Sequence, residues 1–331
     1  GNKKTCKLLI DGITKKLNGA LFPNTCSSGT VVYNTIDAPL WYFWTIQQYA
    51  VFTNDYKNIW NEYGKKLKNI LKGYRDGTEY NIKMQENGLI FGGSDEVALT
   101  WMDAVVNGRP VTPRNGCCVE INALWYNAVC FIIDLAEKAG QKDKLMKWKK
   151  LVPKIEKSFV ETFWSDEKGY LADYVNNDYK DWAVRPNQIF AVSLPFSPLT
   201  ETMKREVLNI VEKELLTPKG LRTLSPKNPA YIGRYTGNQE QRDRAYHQGT
   251  VWPWLLGHFC EAYITVDRKK GIEMAEKIFC SFEEDIKEYG IGTICEVYDG
   301  DPPQHPKGAI SQAWSVAEIL RIKYMLNQRL N

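Results

Sequence analysis

Residues 38 to 74 carry the pattern that decides the fold class, and they read APLWYFWTIQQYAVFTNDYKNIWNEYGKKLKNILKGY. The first half, 38 to 52, is apolar nearly all round, with Asp37 as its predicted cap and Pro39 in its first turn. The second half, 55 to 74, has apolar residues at helical spacing on one stripe and lysines on the other. We therefore predict an inner helix surrounded by protein, followed by an outer helix with one buried face.

The same alternation of apolar and amphipathic segments recurs along the chain. Segments 119 to 139 and 250 to 266 are strongly apolar, whereas three others are amphipathic and rich in lysine or glutamate. Helical spacing predicts about ten helices in all. We predict an all-α fold in which inner and outer helices form a double ring. The remaining predicted helices cover residues 3 to 17, 141 to 163, 186 to 193, 200 to 215, 268 to 288 and 310 to 328.

Length and composition favour a single domain over residues 1 to 331. A chain of this length, 44% hydrophobic, can bury roughly three quarters of the surface that its unfolded form exposes. No low-complexity run, block of like charges or Pro/Gly/Ser-rich linker divides it into two parts.

Charge and hydropathy exclude several classes of partner. The net charge of +4 is small and the lysines are spread over helical surfaces, so we expect no nucleic-acid partner. No apolar run approaches the length of about 18 residues that a membrane span needs, and residues 1 to 20 lack the apolar core of a signal peptide. We therefore expect no membrane partner and a cytoplasmic protein.

The cysteines and histidines indicate neither disulfides nor a metal. The eight cysteines show no paired spacing, so we interpret them as buried thiols in a reducing compartment. The three histidines, His247, His258 and His305, are far apart, and no CxxC pair exists to complete a zinc site. We expect no metal and no cofactor.

Four long segments between the predicted helices are the places where function is expected. Each is too long to be a mere connection and is rich in Trp, Tyr, Arg, amides and carboxylates. Sugars present apolar ring faces and outward hydroxyl groups, so a sugar site needs aromatic platforms and planar polar side chains. The sequence therefore predicts a carbohydrate site. The segments are 75 to 118, 164 to 186, 217 to 249 and 289 to 309.

Glycosidic cleavage generally requires two carboxyl groups, one that protonates the leaving oxygen and one that activates water or attacks carbon. Asp103 and Glu296 are our candidates, because each follows an apolar run at the end of a long loop, where burial can tune a pKa. Composition alone does not choose them. The other carboxylates in or near such loops are Asp37, Asp95, Glu96, Glu120, Asp173, Glu240, Asp299 and Asp301.

Structural roles compete with these functional interpretations. Glu120 would stabilise the N-terminus of the helix that it begins. Arg185 would pair with a carboxylate, and His247 would be a satisfied structural histidine. Core packing is the simpler role for three tryptophans of the predicted inner helices, Trp41, Trp44 and Trp125.

Eight ordered strings within these segments resemble one known family over nearly the whole chain. They are YNTIDAPLW (33–41), TWMDA (100–104), VTPRNG (111–116), VEINALWYNA (119–128), RPNQ (185–188), GLRTL (220–224), YHQGTVWP (246–253) and the segment 295–320, which contains SQAWSVAE (311–318). The family is that of the amylo-α-1,6-glucosidases, glycoside hydrolase family 133, which form the C-terminal domain of glycogen debranching enzymes.

The resemblance implies an (α/α)6 toroid that removes α-1,6-linked glucose from branch points of glycogen or limit dextrin. It also implies an inverting mechanism with Asp103 as the general acid and Glu296 as the general base, their carboxyl groups roughly 6.5 to 9.5 Å apart. By the same resemblance, a further set of residues would bind the terminal glucose: Trp101, Arg185, Asn187, Gln188, His247, Gln248, Trp252, Asn34, Asp37, Arg114 and Glu120.

The start of the chain departs from the family pattern. The family toroid has twelve helices, whereas we count about ten, and the aromatic-Gly-Arg-Asp string between the early helices of the family is absent. We therefore expect an N-terminally truncated fragment that lacks the first two helices and the upstream domain. Such a fragment is expected to fold but to be a poor catalyst.

Two alternatives remain at this stage. One is another (α/α)6 sugar enzyme, either a glucoamylase-like α-1,4-glucosidase or a disaccharide phosphorylase. The other is a glycan-binding fragment without catalysis.

Overall fold

A computed structural model describes residues 2–25, 31–141 and 145–328. Helices account for 52% of the chain, so the class is mostly helical, as the periodicity predicted. The helices are α1 (Lys3–Thr14), α2 (Ala38–Thr53), α3 (Tyr56–Asp76), α4 (Val119–Lys138), α5 (Met146–Phe163), α6 (Phe190–Ser193), α7 (Glu201–Leu215), α8 (Gln239–Tyr246), α9 (Leu255–Val266), α10 (Arg268–Cys280), α11 (Asp285–Glu288) and α12 (Ala313–Asn327).

Most predicted helices are present with boundaries shifted by a few residues, and four differ more. The helix predicted over 250 to 266 begins only at Leu255, and the one predicted over 268 to 288 divides into α10 and α11. The segment 186 to 193 is a 3-10 turn followed by the four-residue α6. The predicted helix 141 to 163 begins at Met146, and its residues 142–144 lie outside the described residues.

Helix α8 was not predicted, because it has no apolar stripe. Its N-terminus is set instead by a capping box, in which the Asn238 side chain accepts from the Gln241 backbone and the Gln241 side chain accepts from the Asn238 backbone. Polar helices of this kind carry little hydrophobic periodicity, which is the signal that sequence analysis depends on.

Helix α4 is the centre of the N-terminal half of the fold. The amphipathic helices α3 and α5 pack against it, and so does the apolar α2. Trp125 of α4 is fully buried, stacks on Tyr74 of α3 at 6.1 Å between ring centroids, and donates its indole N–H to the Gly88 carbonyl. The core role predicted for Trp125 is confirmed.

By length and composition α4 could cross a membrane, and among the described residues no other helix meets that test. The prediction that no apolar run approaches the length of a membrane span is therefore wrong for α4. In the structure, 83% of the apolar window is buried inside the protein, as in the core helix of a globular domain.

Short strands are the main departure from the all-α prediction. The described residues contain fourteen strands of two or three residues each. They are too short for the alternation of apolar and polar residues to be visible in the sequence. The strands are β1 (Lys83–Met84), β2 (Ile90–Phe91), β3 (Val105–Val106), β4 (Arg109–Pro110), β5 (Cys117–Cys118), β6 (Trp164–Ser165), β7 (Tyr170–Leu171), β8 (Tyr174–Asn176), β9 (Tyr179–Asp181), β10 (Leu216–Thr217), β11 (Gly220–Arg222), β12 (Val251–Trp252), β13 (Val297–Tyr298) and β14 (Pro306–Lys307).

Two antiparallel sheets bring distant loops together. The five-stranded sheet has the order β10-β11-β12-β13-β14, with Leu221 paired to Trp252 and Val251 paired to Tyr298. The three-stranded sheet β5-β8-β9 pairs Cys118 with Tyr174. The first sheet therefore joins the long segments 217 to 249 and 289 to 309, and the second joins 75 to 118 and 164 to 186.

The cysteines only partly match the prediction of buried thiols. All that the structure describes are free, and four of them, Cys117, Cys118, Cys260 and Cys295, are buried. Cys6 and Cys130 are half-buried, and Cys280 is exposed because it ends α10 at the surface. Cys26 lies outside the described residues.

Replacing Gly271 with alanine tests the close contact between α9 and α10. A Cβ atom at Gly271 would lie 2.6 Å from the Ile264 Cα, so the two helices would have to move apart. We expect Gly271→Ala to lower the free energy of unfolding by about 1 to 3 kcal/mol. Urea unfolding followed by circular dichroism measures the change.

Gly12→Ala is the matched control, because a Cβ atom at Gly12 of α1 meets no atom within 4 Å. Alanine should raise the free energy of unfolding there by up to about 1 kcal/mol, since glycine is the poorer helix former. Equal stability of the two variants would contradict the described packing of α9 on α10.

Candidate active site

One cavity of about 650 Å³ brings together five of the residues predicted to act on a sugar. They come from four segments that are far apart in the sequence, and each lies in a loop or, for Trp252, at the end of a strand. The five residues are Asp37, Trp101, Asp103, Trp252 and Glu296.

Glu296 is held in place by three hydrogen-bond donors. It directly precedes β13, and its Oε1 accepts from the Tyr246 hydroxyl at 2.5 Å and from the Gln312 amide at 3.2 Å. Its Oε2 accepts from the Ala309 backbone N–H at 2.9 Å. A carboxylate can accept all three bonds, so this environment suits a group that later accepts a proton.

Asp103 has a different environment. The residue is exposed to water where it lines the cavity, and neighbouring protein partly buries its carboxyl group. That partial burial raises the pKa of Asp103, and the negative charge of Glu296 raises it further, whereas a hydrogen bond with its own backbone lowers it. The two carboxyl groups are therefore close enough to interact, and the interaction favours the protonated form of Asp103.

Asp37 adds a third carboxyl group to the same cavity. It is buried, and its Oδ1 accepts from the Thr35 hydroxyl at 2.5 Å. Burial raises the pKa of Asp37, the Thr35 bond lowers it, and the charge of Asp103 raises it again. The predicted capping role is wrong in one respect, because the Asp37 side chain makes no capping hydrogen bond to α2.

Indole rings form much of the cavity wall. Trp101 meets Trp252 edge to face at 5.6 Å between ring centroids and meets Trp254 in the same way at 5.1 Å. Trp254 stacks on Trp314 at 5.0 Å with an interplanar angle of 11°. Such rings offer flat apolar surfaces of the kind that the face of a sugar ring can cover.

Sequence analysis missed several residues that line this cavity. Trp41 and Trp44 were interpreted as core residues, but both line the cavity from α2 and contact each other edge to face at 5.9 Å. Their spacing of three is equally typical of a core helix, so periodicity could not separate the two roles. Trp314 and Tyr246 also line the cavity, and their only signal was membership of the family-like strings. Trp254 lines it too, one position after the end of YHQGTVWP.

Three other predicted residues lie behind the cavity wall in a buried ionic network. Arg114 makes a bidentate pair with Glu120, and its Nε donates to Asp173 Oδ2 at 2.7 Å. Asp173 Oδ1 in turn accepts from the Asn187 amide at 2.7 Å, and Asn187 Oδ1 accepts from the Trp101 indole N–H at 2.8 Å. The network reaches the cavity through Trp101.

Arg185 is also buried, and it ties neighbouring loops together. Its Nη1 donates to the carbonyl groups of Thr223 and His247, at 3.1 and 2.7 Å, and its Nη2 donates to Gln248 Oε1 at 2.6 Å. The Gln188 side chain donates to the Arg185 carbonyl at 3.2 Å. These contacts place Arg185, Gln188 and Gln248 in the supporting layer rather than on the cavity surface.

The His247 ring packs inside the aromatic wall. It stacks on Trp252 at 5.5 Å with an interplanar angle of 13°, and burial lowers its pKa to about 3. The ring is therefore neutral at ordinary pH. Asn34, the remaining predicted binding residue, is half-buried and lies outside the cavity lining.

The sequence matches a known family over the same elements that build this cavity. The family model described as amylo-alpha-1,6-glucosidase matches residues 3–321. The chain belongs to that family. The resemblance inferred from the ordered strings is therefore confirmed, and every cavity residue named above lies inside the matched range.

A glycogen debranching enzyme of Saccharomyces cerevisiae is similar to this member of the amylo-α-1,6-glucosidase family. The two are 25% identical in an alignment that covers 80% of this chain and 23% of the yeast protein. The chain therefore spans less than a quarter of the length of this relative.

Asp37→Asn tests how a third carboxyl group in the cavity wall changes the free energy of unfolding. Because the pKa of Asp37 is raised in the folded protein, this group favours folding while it is protonated, and that contribution is lost as the pH rises through the folded-state pKa. Asparagine has a similar shape and does not ionise. We expect the stability of Asp37→Asn relative to the wild type to increase as the pH rises above about 4 and through the folded-state pKa of Asp37.

Thermal unfolding at several pH values measures this difference, and Asp95→Asn is the control because Asp95 is an exposed loop carboxylate. The control should show no such increase. A difference for Asp37→Asn that is constant across the pH range would mean that its carboxyl group ionises as freely in the folded protein as in the unfolded chain.

Proposed function

We propose that the chain is a glycoside hydrolase that removes α-1,6-linked glucose from an α-glucan branch point with inversion. The observation that carries this proposal is the pair of carboxyl groups, Asp103 and Glu296, that line one cavity in contrasting environments. Enzymes that use two carboxyl groups in two roles place the groups in different environments, and these environments set their pKa values apart.

In this mechanism Asp103 acts as the general acid. Its raised pKa keeps the proton available, and the proton passes to the glycosidic oxygen as the bond between that oxygen and the sugar C1 breaks. Glu296, held by three donors, takes a proton from the water that attacks C1 from the opposite face. The products are β-glucose and the shortened glucan.

The proposed binding roles follow from where each side chain lies. Trp101 and Trp252 contact the glucose ring, and Asp37 binds one of its hydroxyl groups from the cavity wall. Asn34, Arg114, Glu120, Arg185, Asn187, Gln188, His247 and Gln248 act from the supporting layer, with Arg114, Glu120 and Asn187 holding the Trp101 ring.

We also propose that the described helices belong to one (α/α)6 toroid. Supporting this, the apolar helices α4 and α9 are each flanked by amphipathic helices, α3 and α5 in the first case and α7 and α10 in the second. The cavity is lined both by helices, mainly α2 and α12, and by the loops between helices. A single domain and a cytoplasmic location stay predictions.

The presence of Glu296 favours hydrolysis over phosphorolysis. A phosphorylase needs a cradle for phosphate in place of a second carboxyl group, and a carboxylate held at that position would repel the anion. The charge of Glu296 acts on Asp103 across the same cavity, which fits activation of a neutral water molecule.

Two substrates distinguish the proposed general acid, Asp103, from the proposed general base, Glu296. We expect Glu296→Gln to reduce kcat about 10² to 10⁴-fold both on a limit dextrin with α-1,6-linked glucose stubs and on α-glucosyl fluoride. Asp103→Asn should show a similar loss on the dextrin but a much smaller one on the fluoride, because fluoride leaves without protonation. Asp95→Asn, an exposed loop carboxylate, serves as the control.

NMR of the first glucose released completes the test. β-Glucose is expected, and α-glucose would overturn inversion. If Glu296→Gln retains near-normal turnover on both substrates, Glu296 is not the base. Glycan binding without glucose release by the wild type would favour the non-catalytic alternative.

A further inference from the structure

A second depression, of about 560 Å³, lies beside Glu296 and shares that side chain with the main cavity. We call it the outer groove. Its side walls come from the loop before α8, from α8 itself and from the residue that follows α11. Its lining residues include Tyr235, Gln239, Arg242, Tyr289 and Lys307.

The β13-β14 hairpin attaches the outer groove to the candidate base. Val297 pairs with Lys307, so Lys307 lies across the hairpin from the residue that follows Glu296. The Glu296 carboxylate packs against Gly308, which has a φ of +68° and leaves no space for a Cβ atom. The hairpin that lines the groove therefore also holds the Glu296 carboxylate, which faces both the groove and the cavity.

Aromatic rings continue from the cavity into the outer groove. The Trp252 ring lies 4.8 Å from the Tyr246 ring, and the Tyr246 ring lies 5.6 Å from the Tyr235 ring. Tyr246 lines the cavity, and Tyr235 lines the groove. Tyr289 adds a second ring to the groove, so both spaces offer aromatic rings to a ligand that spans them.

Polar groups in the outer groove are held in fixed positions. Arg242 donates to the Gly237 carbonyl at 2.6 Å and to Gln239 Oε1 at 3.0 Å, which orients its guanidinium. The backbone N–H of Tyr235 donates to Asp299 Oδ1 at 2.8 Å and anchors that loop. A planar cation and an amide beside two tyrosines match the hydroxyl groups and apolar faces of sugars.

We propose that the outer groove binds the α-1,4-linked glucan chain that carries the branch glucose. This inference rests on the function proposed above, in which the leaving group is itself a chain of sugars. That chain must pass beside the two carboxyl groups when the terminal glucose occupies the cavity. A route for water alone would not need two aromatic rings and an oriented guanidinium.

Two variants with matched controls test the groove. Tyr289→Ala removes a ring and Arg242→Ala removes the oriented cation, and neither residue contacts Asp103 or Glu296 in the described hydrogen bonds. The controls are Tyr179→Ala and Arg205→Ala, which change exposed residues of the same types that line neither the cavity nor the groove. Circular dichroism confirms that each variant is folded.

The measurement is the ratio of kcat/KM on the limit dextrin to kcat/KM on α-glucosyl fluoride, whose leaving group is a single atom. We expect each groove variant to lower this ratio at least about tenfold, mainly through KM for the dextrin, as loss of a well-packed aromatic or Arg contact does. Both controls should keep the wild-type ratio.

Two outcomes would overturn the inference. Equal losses on both substrates would show that the groove supports Glu296 rather than a glucan, and an unchanged ratio in both variants would show that it binds no chain. The proposed hydrolysis is tested separately, because it fails only if the wild type cleaves neither substrate or if Glu296→Gln remains active.

Discussion

Arg114 holds two carboxylates, Glu120 and Asp173, out of contact with water in the interior of the protein. The side chains of all three are only 1 to 2% exposed. A buried charge that loses its partner costs about 3 to 5 kcal/mol, so none of the three can move independently of the others. Because Asp173 also binds Asn187, this cluster locks together segments that lie up to 73 positions apart in the chain.

The same cluster determines the shape of the cavity. Asn187 donates to Asp173 and accepts from the Trp101 indole, so the position of Trp101 depends on that of Asp173. Arg114 also donates to the Thr100 hydroxyl at 3.2 Å. Trp101 and Asp103 are two positions apart, so the loop that carries the candidate acid is anchored to the core. On the opposite side, the five-stranded sheet anchors the loop that carries Glu296. The candidate acid and base therefore depend on two separate supports, one ionic and one built from backbone pairing.

Much of this protein could be predicted from sequence, because helices are local structures. The apolar and amphipathic halves of residues 38 to 74 predict α2 and α3 correctly, since a period of 3.6 residues needs no information from the rest of the chain. Family-like strings then identified the family and selected Asp103 and Glu296 from many loop carboxylates. Those strings also contained Trp101, Trp252 and Asp37, which line the cavity.

Tertiary structure alone decided which polar residues face the cavity and which support it from behind. Sequence analysis treated Asn187 and Trp101 as equivalent binding residues, yet a hydrogen bond across 86 positions makes one the support of the other. It interpreted Trp41 and Trp44 as core residues, because inward-facing positions of a helix have the same spacing whether a neighbour or a cavity lies opposite. Hydrogen bonds between distant loops and strands of two residues leave no periodic signal in a sequence. Only the folded chain determines them, because they depend on which segments packing brings within about 3 Å of each other.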